Sequence, residues 1–265
     1  MIKVPQYTNQ EVGVANHDPQ APNHKMIYAI ISDIHSNLEA LERVLEAIDR
    51  FRVNKTICLG DIVGYGANPN ECVDIIKERN VESIIGNHDT VACGKKEPYD
   101  FNPVAREAVL WTRKALTSEN REFLNNLPNM KLVDDFLIVH GAVSDPDLYI
   151  FSSYDTRIEF KLMKKHNICF FGHTHVRTYY LLINDDIRQP FDHEFKIEPK
   201  AKYLINPGSV GQPRDRDPRS SFLIYDTKEG CVKYIRLDYD ISTAQKKIIE
   251  AGLDRRLADR LSLGM

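Results

Sequence analysis

The sequence has no long hydrophobic run and no apolar leader. No segment approaches the ~18 apolar residues that a membrane-spanning helix needs. Residues 1–25 are polar and rich in Asn, Gln and Pro, and they lack the apolar stretch of a signal peptide. We therefore expect a cytoplasmic protein without a membrane anchor, in which residues 1–25 form a flexible N-terminal extension.

Cysteine is scarce and shows no pairing pattern. The chain has 265 residues and five cysteines, none of them in a C-x-x-C motif. The odd number argues against a disulfide framework, and the spacing argues against a thiolate zinc site. Cys58 and Cys169 lie inside apolar runs, as small core residues do. A reducing compartment is favoured.

The sequence also lacks a surplus of positive charge. It has 35 basic and 38 acidic residues and a formal net charge of -3. Proteins that bind nucleic acid generally carry a basic surplus, so no strong nucleic-acid partner is predicted. A chain of this length buries enough apolar surface to fold without a metal staple. Any metal site is therefore expected to serve chemistry.

Strand and helix patterns alternate in the first part of the chain. Apolar runs rich in β-formers at residues 26–32, 55–59 and 81–85 predict buried strands. Asn37 precedes apolar residues at helical spacing, and a second helix is predicted over residues 71–79. This alternation predicts parallel βαβ units and an α/β fold.

The remaining elements are predicted from the same patterns. Helices are predicted over 102–126, with a break at Thr117 and Ser118, and over 156–166. Strands are predicted within 132–139 and over 168–171, 178–183, 194–197, 202–205, 221–225 and 232–238. We expect one domain over residues 26–241 and a helical segment over 242–265 that docks on it.

A series of Asp, His and Asn residues stands just beyond the ends of the apolar strands. The series comprises Asp33-Ile34-His35, Gly60-Asp61, Gly86-Asn87-His88-Asp89, His140-Gly141 and Gly172-His173-Thr174-His175. Ligands of open α/β sheets bind outside the carboxyl ends of the strands. The five clusters are therefore expected to converge on one crevice.

These residue types are suited to metal ligation. Asp33 and His35 are two residues apart, so extended backbone would point both side chains the same way, and His173 and His175 repeat the spacing. Asp and His suit Zn²⁺, Mn²⁺, Fe or Co²⁺. The candidate ligands are too many for one ion that also holds water and substrate. They are enough for two ions that share one carboxylate, as in two-metal phosphatases.

The ordered set resembles the calcineurin-like metallophosphoesterase superfamily, from residue 26 to about residue 226. Residues 32–37 (SDIHSN), 64–66 (GYG) and 206–215 (NPGSVGQPRD) are similar to a bacterial and archaeal branch of small phosphoesterases. The resemblance implies a four-layer α/β sandwich of two mixed β-sheets flanked by helices. It also implies hydrolysis of a small or nucleotide-like phosphodiester or phosphomonoester.

The resemblance implies a role for each matched position. One ion would be held by Asp33, His35, Asp61 and His175, and the other by Asp61, Asn87, His140 and His173, with Asp61 bridging. A hydroxide between the ions would attack phosphorus, and His88 would protonate the leaving oxygen or stabilise its charge. Asp61, Asn87 and His88 are thus the predicted catalytic residues. The predicted cofactor is two divalent ions, Mn²⁺ foremost, with Fe, Zn, Ni or Co as alternatives.

Two further side chains are candidates for substrate contact. Arg214 follows a glycine-rich loop, and a guanidinium matches phosphate oxygens in bidentate fashion. The alternative for Arg214 is a structural salt bridge with Asp215 or Asp217. Asn37 is the second candidate, although it is better placed to cap a helix.

Other functions known for the superfamily remain open as alternatives. A nuclease acting on DNA or RNA is disfavoured by the acidic composition. Protein Ser/Thr phosphatases carry G-D-x-x-D-R-G, whereas residues 60–66 read GDIVGYG without the second Asp and the Arg. A non-catalytic scaffold such as the retromer subunit lacks the catalytic His, which is present here as His88. A homo-oligomer is a further expectation.

Overall fold

The computed structural model describes residues 25–265. The predicted N-terminal extension, residues 1–25, lies outside the described residues except for its last position. Within the described part, twelve strands form two six-stranded sheets, and eight α-helices and one short 3₁₀-helix accompany them. No helix in this part is long and apolar enough to cross a membrane.

The first sheet combines parallel and antiparallel strands. In spatial order it contains β3 (Glu82–Ser83), β2 (Lys55–Cys58), β1 (Ile27–Ile31), β11 (Ser220–Asp226), β12 (Cys231–Leu237) and β9 (Glu194–Lys196). β1, β2 and β3 run parallel, whereas the other three strands are antiparallel to their neighbours. The parallel half matches the predicted βαβ units.

The second sheet is also mixed. In spatial order it contains β4 (Met130–Val133), β5 (Phe136–Val139), β6 (Ile168–Phe170), β10 (Lys202–Asn206), β7 (Thr178–Ile183) and β8 (Asp186–Arg188). β5, β6 and β10 run parallel, and β4, β7 and β8 are antiparallel to their neighbours. Each sheet therefore has one parallel half, whose strands end at a common edge.

The helices begin where the sequence supplies caps. They are α1 (Leu38–Phe51), α2 (Pro69–Glu78), α3 (Asn87–Ala92), α4 (Pro103–Ala115), α5 (Ser118–Asn126), α6 (Thr156–Leu162), α7 (Ile241–Glu250) and α8 (Arg255–Asp259), followed by the 3₁₀-helix Arg260–Leu263. The side chains of Asn37, Asn102 and Thr117 accept hydrogen bonds from the first turns of α1, α4 and α5. The predicted break at Thr117 is thus the start of α5.

The two sheets pack face to face around aromatic and branched side chains. Tyr28 and Ile30 of β1 point into this interior, where Phe136 and Phe170 of the second sheet meet them. Tyr28 and Phe136 are in edge-to-face contact, with ring centroids 5.1 Å apart. The opposite face of β1 packs against α1 through residues such as Leu41. Sheets therefore form the middle layers and helices the outer layers, and the predicted sandwich is confirmed.

Three local expectations were inaccurate. The patterns do not predict α3 or β8, because both are too short to show a periodic apolar face. The predicted strand over residues 81–85 contracts to the two residues of β3. Beyond it the chain leaves the ladder, since the amide of Ile85 donates to the carbonyl of Pro128 at 2.9 Å.

The C-terminal segment packs on the body of the molecule through a separate apolar cluster. Ile248 and Leu261 contact Tyr65 and Ala105 within this cluster. Lys247 of α7 also forms an ion pair with Glu39 of α1. The C-terminal segment therefore lies against Tyr65, which belongs to the loop that follows β2. The boundaries at residues 26, 241 and 242 stay a prediction.

Candidate metal centre

The carboxyl ends of the parallel strands in both sheets meet at one edge of the sandwich. The predicted ligands stand just beyond them: Asp33 and His35 after β1, Asp61 after β2, Asn87 after β3, His140 after β5, and His173 and His175 after β6. Apart from the half-buried Asn87, each is at most 3% exposed. The predicted convergence of the clusters is thus found in the structure.

One group of four residues surrounds the end of β1. Ligand atoms of Asp33, His35, Asp61 and His175 all lie within 4.8 Å of one another. Nε2 of His35 is 3.0 Å from Nε2 of His175, which in turn is 3.5 Å from Oδ1 of Asp33. Four ligand atoms at this spacing can surround a single divalent ion.

A second group lies on the other side of Asp61. It contains Asp61, His140 and His173, again with ligand atoms within 4.8 Å. Nε2 of His140 is 3.2 Å from Nδ1 of His173 and 3.2 Å from Oδ1 of Asn87. Asn87 therefore joins this group, as the sequence resemblance predicts.

Asp61 belongs to both groups through one oxygen. Oδ2 of Asp61 lies 3.6 Å from Nε2 of His35 and 3.3 Å from Nε2 of His140. Its other oxygen accepts a hydrogen bond of 2.8 Å from the backbone amide of His88. The amide holds the carboxylate so that Oδ2 faces both groups.

Backbone carbonyls orient the four histidines that are predicted ligands. Nδ1 of His35, His140 and His175 lies 3.1, 2.8 and 2.6 Å from the carbonyl oxygens of Val63, Leu59 and Gln212, respectively. His173 is turned the other way, and its Nε2 lies 3.1 Å from the carbonyl of Asp147. A ring nitrogen that donates to a carbonyl carries the proton, so the opposite nitrogen presents a lone pair to the centre.

The backbone at the ligands differs from the extended geometry expected from the sequence. Asp33, His35, Asp61, His173 and His175 all have φ between 50° and 66°, in the left-handed region. The prediction that extended backbone aligns each i, i+2 pair was therefore wrong. Asp33 and His35 still meet in one group, but His173 and His175 are separated into different groups. Strained backbone of this kind is concentrated at functional sites.

Two of the motif glycines leave room that the carboxylates fill. A Cβ at Gly86 would lie 2.1 Å from Oδ1 of Asp61. A Cβ at Gly172 would lie 2.1 Å from Oγ of Ser32 and 2.9 Å from Oδ2 of Asp33. These glycines allow the strand ends to approach the ligands closely.

The electrostatics of the site fit bound cations. Burial raises the pKa of Asp33 to about 7, and the nearby charge of Asp61 adds to the shift. Burial opposes protonation of His140, but the carboxylate of Asp61 outweighs it and raises the pKa of His140 to about 10. The charge of Asp61 contributes to both shifts, and a buried carboxylate favours positive charge beside it, which divalent ions would supply. Burial lowers the pKa of His173 to about 3, so its ring is the neutral form that a metal requires.

His88 lies beside both groups but is not part of either. Its ring centroid is 4.8 Å from that of His35 and 4.4 Å from that of Tyr65, and the residue is 4% exposed. Nδ1 of His88 has no hydrogen-bond partner among the described residues. Burial lowers the pKa of His88 to about 4. The ring is therefore neutral at pH 7, and its buried Nδ1 packs against Gly64.

Asp89, the last residue of the G-N-H-D motif, is a structural member of the site. Its carboxylate accepts hydrogen bonds of 3.0 Å from the backbone amides of Val63 and Gly86. It thereby ties the loop after β2 to the start of α3. The sequence motif includes Asp89, but the motif alone does not predict these hydrogen bonds or a role for the residue.

Arg214 lies near the first group and forms no salt bridge within the described part of the chain. Its guanidinium donates to Oε1 of Gln212 at 2.9 Å and to the hydroxyl of Tyr65 at 3.4 Å, and its Nε has no partner there. The two carboxylates considered as alternatives, Asp215 and Asp217, pair with Arg236 instead. Arg214 thus has an uncompensated positive charge next to the metal ligands.

Asn37 uses its side chain within the fold. Its Oδ1 accepts from the amide of Ala40 at 3.2 Å, and its Nδ2 donates to the carbonyl of Gly211 at 2.8 Å and to the hydroxyl of Tyr239 at 3.3 Å. These bonds join the start of α1 to the glycine-rich loop. They occupy the groups that a substrate would need, and a contact between Asn37 and substrate stays a prediction.

The loop of residues 142–155 contributes residues that no sequence motif indicated. Tyr149 stacks on His173 with ring centroids 3.8 Å apart. The carbonyl of Asp147 orients His173, and the carboxylate of Asp147 pairs with Lys96 at 2.6 Å. This loop has no periodicity or ligand spacing, so nothing in the sequence separates these residues from ordinary surface residues.

A cavity of about 160 Å³ opens beside Asn87 and His88. Phe101, Tyr65 and Tyr149 line it together with the charged side chains of Lys96 and Asp147. The cavity connects the buried ligands with the molecular surface. A phosphoester group at the metal centre could therefore extend its leaving group into this cavity.

The sandwich and its buried Asp/His cluster define an α/β protein with a candidate metal centre at the sheet edge. A model of the calcineurin-like phosphoesterase superfamily domain matches residues 26–230. The chain is 41% identical over 249 residues to an uncharacterized protein of Methanocaldococcus jannaschii. The match covers 91% of this chain and 99% of that protein. The chain belongs to the calcineurin-like phosphoesterase superfamily, and the resemblance stated from its motifs is confirmed.

Solved structures agree with this assignment. A metallophosphoesterase from Sphaerobacter thermophilus is 39% identical, with a TM-score of 0.80, over 91% of this chain and all of that one. A hypothetical protein from Pyrococcus horikoshii shares the fold at 21% identity, with a TM-score of 0.75, over 90% of this chain and 98% of that one. Family membership and the metallophosphoesterase from Sphaerobacter thermophilus together indicate a metal-dependent phosphoesterase, and the second structure shows the shared fold.

Proposed function

We propose that the protein hydrolyses a phosphodiester or phosphomonoester with the help of two divalent metal ions. The observation that carries the proposal is the position of Asp61, whose Oδ2 lies 3.6 Å from His35 and 3.3 Å from His140. A carboxylate oxygen between two groups of ligands is the arrangement that a shared ligand requires.

Each ion would have its own set of ligands. Asp33, His35, Asp61 and His175 would hold one, and Asp61, Asn87, His140 and His173 the other. When bound, two such ions lower the pKa of a water molecule toward ~7 and stabilise the charge of an in-line displacement. Asp, His and Asn suit Mn²⁺ first, with Fe, Zn, Ni and Co as alternatives.

His88 would act on the leaving oxygen. The ring is neutral at pH 7, because burial lowers its pKa to about 4, and a neutral imidazole has one N–H to donate. We expect His88 to donate this hydrogen bond to the leaving oxygen and to stabilise the negative charge that develops there.

Arg214 would bind the phosphoryl oxygens. Its guanidinium has no carboxylate partner in residues 25–265, and it lies beside Tyr65 and the first group of ligands. A guanidinium in this position can donate two parallel hydrogen bonds to a phosphate.

The small cavity and the absence of a basic surplus favour a small or nucleotide-like substrate over nucleic acid. The five free cysteines support a reducing, cytoplasmic setting.

The proposal is tested by hydrolysis of an aryl phosphodiester with added Mn²⁺. The wild-type protein should turn over the ester, and His88→Ala should lower kcat by about 10²-fold, because losing one hydrogen-bond donor to a developing negative charge costs about that much. The Mn²⁺ content of both proteins should be equal, because His88 is not a ligand.

His166→Ala is the matched control. His166 precedes β6 at the edge of the sheet opposite the metal centre, so its removal should leave kcat unchanged. Absence of turnover in wild-type protein shown to contain Mn²⁺ would defeat the proposal, as would equal rates for the wild type and His88→Ala.

A further inference from the structure

Two exposed aromatic rings form a continuous stack that begins at the metal centre. Tyr149 lies against His173, with centroids 3.8 Å apart, and Phe151 lies parallel to Tyr149, with centroids 5.3 Å apart and an angle of 5° between the ring planes. Tyr149 is 41% exposed and Phe151 is 62% exposed. We call Tyr149 and Phe151 the aromatic ledge.

The fold holds the ledge in place although most of it faces solvent. Ile150, between the two rings, is 1% exposed and packs in a core cluster with Phe160 and Tyr180. The backbone amide of Phe151 donates to the carboxylate of Asp155 at 3.1 Å. Because the intervening residue points inward, the rings of Tyr149 and Phe151 share the outward side. Apolar surface held in solvent at the mouth of a polar site is a feature of ligand-binding surfaces.

The ledge is continuous with the candidate reaction site. Tyr149 lines the cavity beside Asn87 and His88, and Lys96 lines the same cavity. The guanidinium of Arg214 lies 5.7 Å from the ring centroid of Tyr65, and Tyr65 lines the same cavity as Tyr149. A flat ring on the ledge and an anionic group at the metal centre are therefore within the span of one small molecule.

We propose that the aromatic ledge binds the nucleobase of a nucleotide whose phosphate group lies at the metal centre. This inference rests on the proposed phosphoesterase function and names its substrate class. Bases of every kind have a π-face that can stack on aromatic rings, so binding should depend on the presence of a base more than on its identity.

The test compares AMP with ribose 5-phosphate, which has the same sugar and phosphate but no base. Isothermal titration of each into the Mn²⁺-loaded full chain gives the affinity. Wild-type protein should bind AMP about tenfold more tightly than ribose 5-phosphate, since one stacked base contributes an effect of this order. Free phosphate is assayed in the same samples, so that a failure of hydrolysis is recorded separately from a failure of binding.

Three variants separate stacking from general effects. Phe151→Ala should remove most of the preference for AMP and leave the affinity for ribose 5-phosphate unchanged. Phe151→Tyr should retain the preference, because the ring is kept. Tyr154→Ala is the matched control: Tyr154 is 88% exposed on the same segment, is in contact with no other described ring, and should have no effect.

Several results would overturn the inference. Equal affinities of the wild-type protein for AMP and ribose 5-phosphate would do so, as would equal weakening of both by Phe151→Ala. If Phe151→Ala changes the sedimentation of the protein and leaves the AMP preference intact, the ledge is an interface between copies of the chain and not a base-binding surface.

Discussion

At the scale of single residues, the candidate metal centre depends on backbone conformations and close contacts that tolerate few substitutions. Five of the predicted ligands have left-handed φ values, and Asp and His are among the non-glycine residues found most often in that region. The neighbouring glycines give the strand ends room to approach the carboxylates. The sequence identifies the ligand types and their order, but it does not encode these backbone rotations in any periodic pattern.

Gly172→Ala tests this close packing. A Cβ at this position would lie 2.1 Å from Oγ of Ser32 and 2.9 Å from Oδ2 of Asp33, so the carboxylate must move. We expect Mn²⁺ affinity to fall at least about tenfold, as when a group that orients a ligand is lost. Titration calorimetry with Mn²⁺ measures the effect.

Gly94→Ala is the control for this substitution. Gly94 has φ of +93°, but nothing lies within 4 Å of a Cβ there. The substitution should lower the free energy of unfolding by about 1–2 kcal/mol through backbone strain and leave Mn²⁺ affinity unchanged. Wild-type Mn²⁺ affinity in Gly172→Ala would contradict the packing described here.

At the scale of helices and strands, caps and long apolar faces were predictable and short elements were not. Asn37 and Thr117 mark the starts of α1 and α5 as the patterns predict, because a cap is a local interaction. α3 and β8 are defined by contacts distant in sequence and have too few residues to show a period. α3 matters most, since it begins at Asn87 and contains His88.

Asn37→Ala tests whether Asn37 serves the fold or the substrate. The variant loses the cap of α1 and the hydrogen bond to Gly211, so the free energy of unfolding should fall by about 1–2 kcal/mol. KM for an aryl phosphodiester should stay within about twofold of the wild-type value. Urea denaturation and steady-state kinetics provide the two measurements.

Asn68→Ala is the matched control. Asn68 precedes α2 but makes no capping hydrogen bond with its side chain, which instead donates a hydrogen bond to the exposed Glu71. Its removal should change stability by less than about 0.5 kcal/mol. A large rise in KM for Asn37→Ala without loss of stability would instead assign Asn37 to the substrate.

At the scale of the whole molecule, two sheets contribute ligands to one site. The placement of each ligand cluster after a strand end indicated this convergence, because parallel strands end at a common edge. The partition of the ligands into two groups entered through the family resemblance, and the geometry brings the same residues together. Tyr149 and the cavity were not predictable, because they depend on how a loop without local signals folds over the site.

Removal of metal should destabilise the entire chain. Asp33, Asp61 and Asp89 are buried close together, and burial together with the charge of Asp61 raises the pKa of Asp89 to about 7, so bound cations would favour the ionised carboxylates. Mn²⁺ at a hundredfold excess over its Kd stabilises the folded state against unfolding by about 2.7 kcal/mol. EDTA should therefore lower the Tm by about 5–10 °C. Addition of Mn²⁺ should raise the Tm of Asp61→Asn much less than that of the wild-type protein. A wild-type Tm that EDTA leaves unchanged would contradict the assignment.

The most direct measurement is anomalous diffraction from crystals of the protein grown with Mn²⁺. Two peaks should appear about 3.5–4 Å apart, each within bonding distance of the Asp61 carboxylate, one beside His35 and His175 and the other beside His140 and His173. A single peak, or two peaks of which only one contacts Asp61, would contradict a shared two-metal centre.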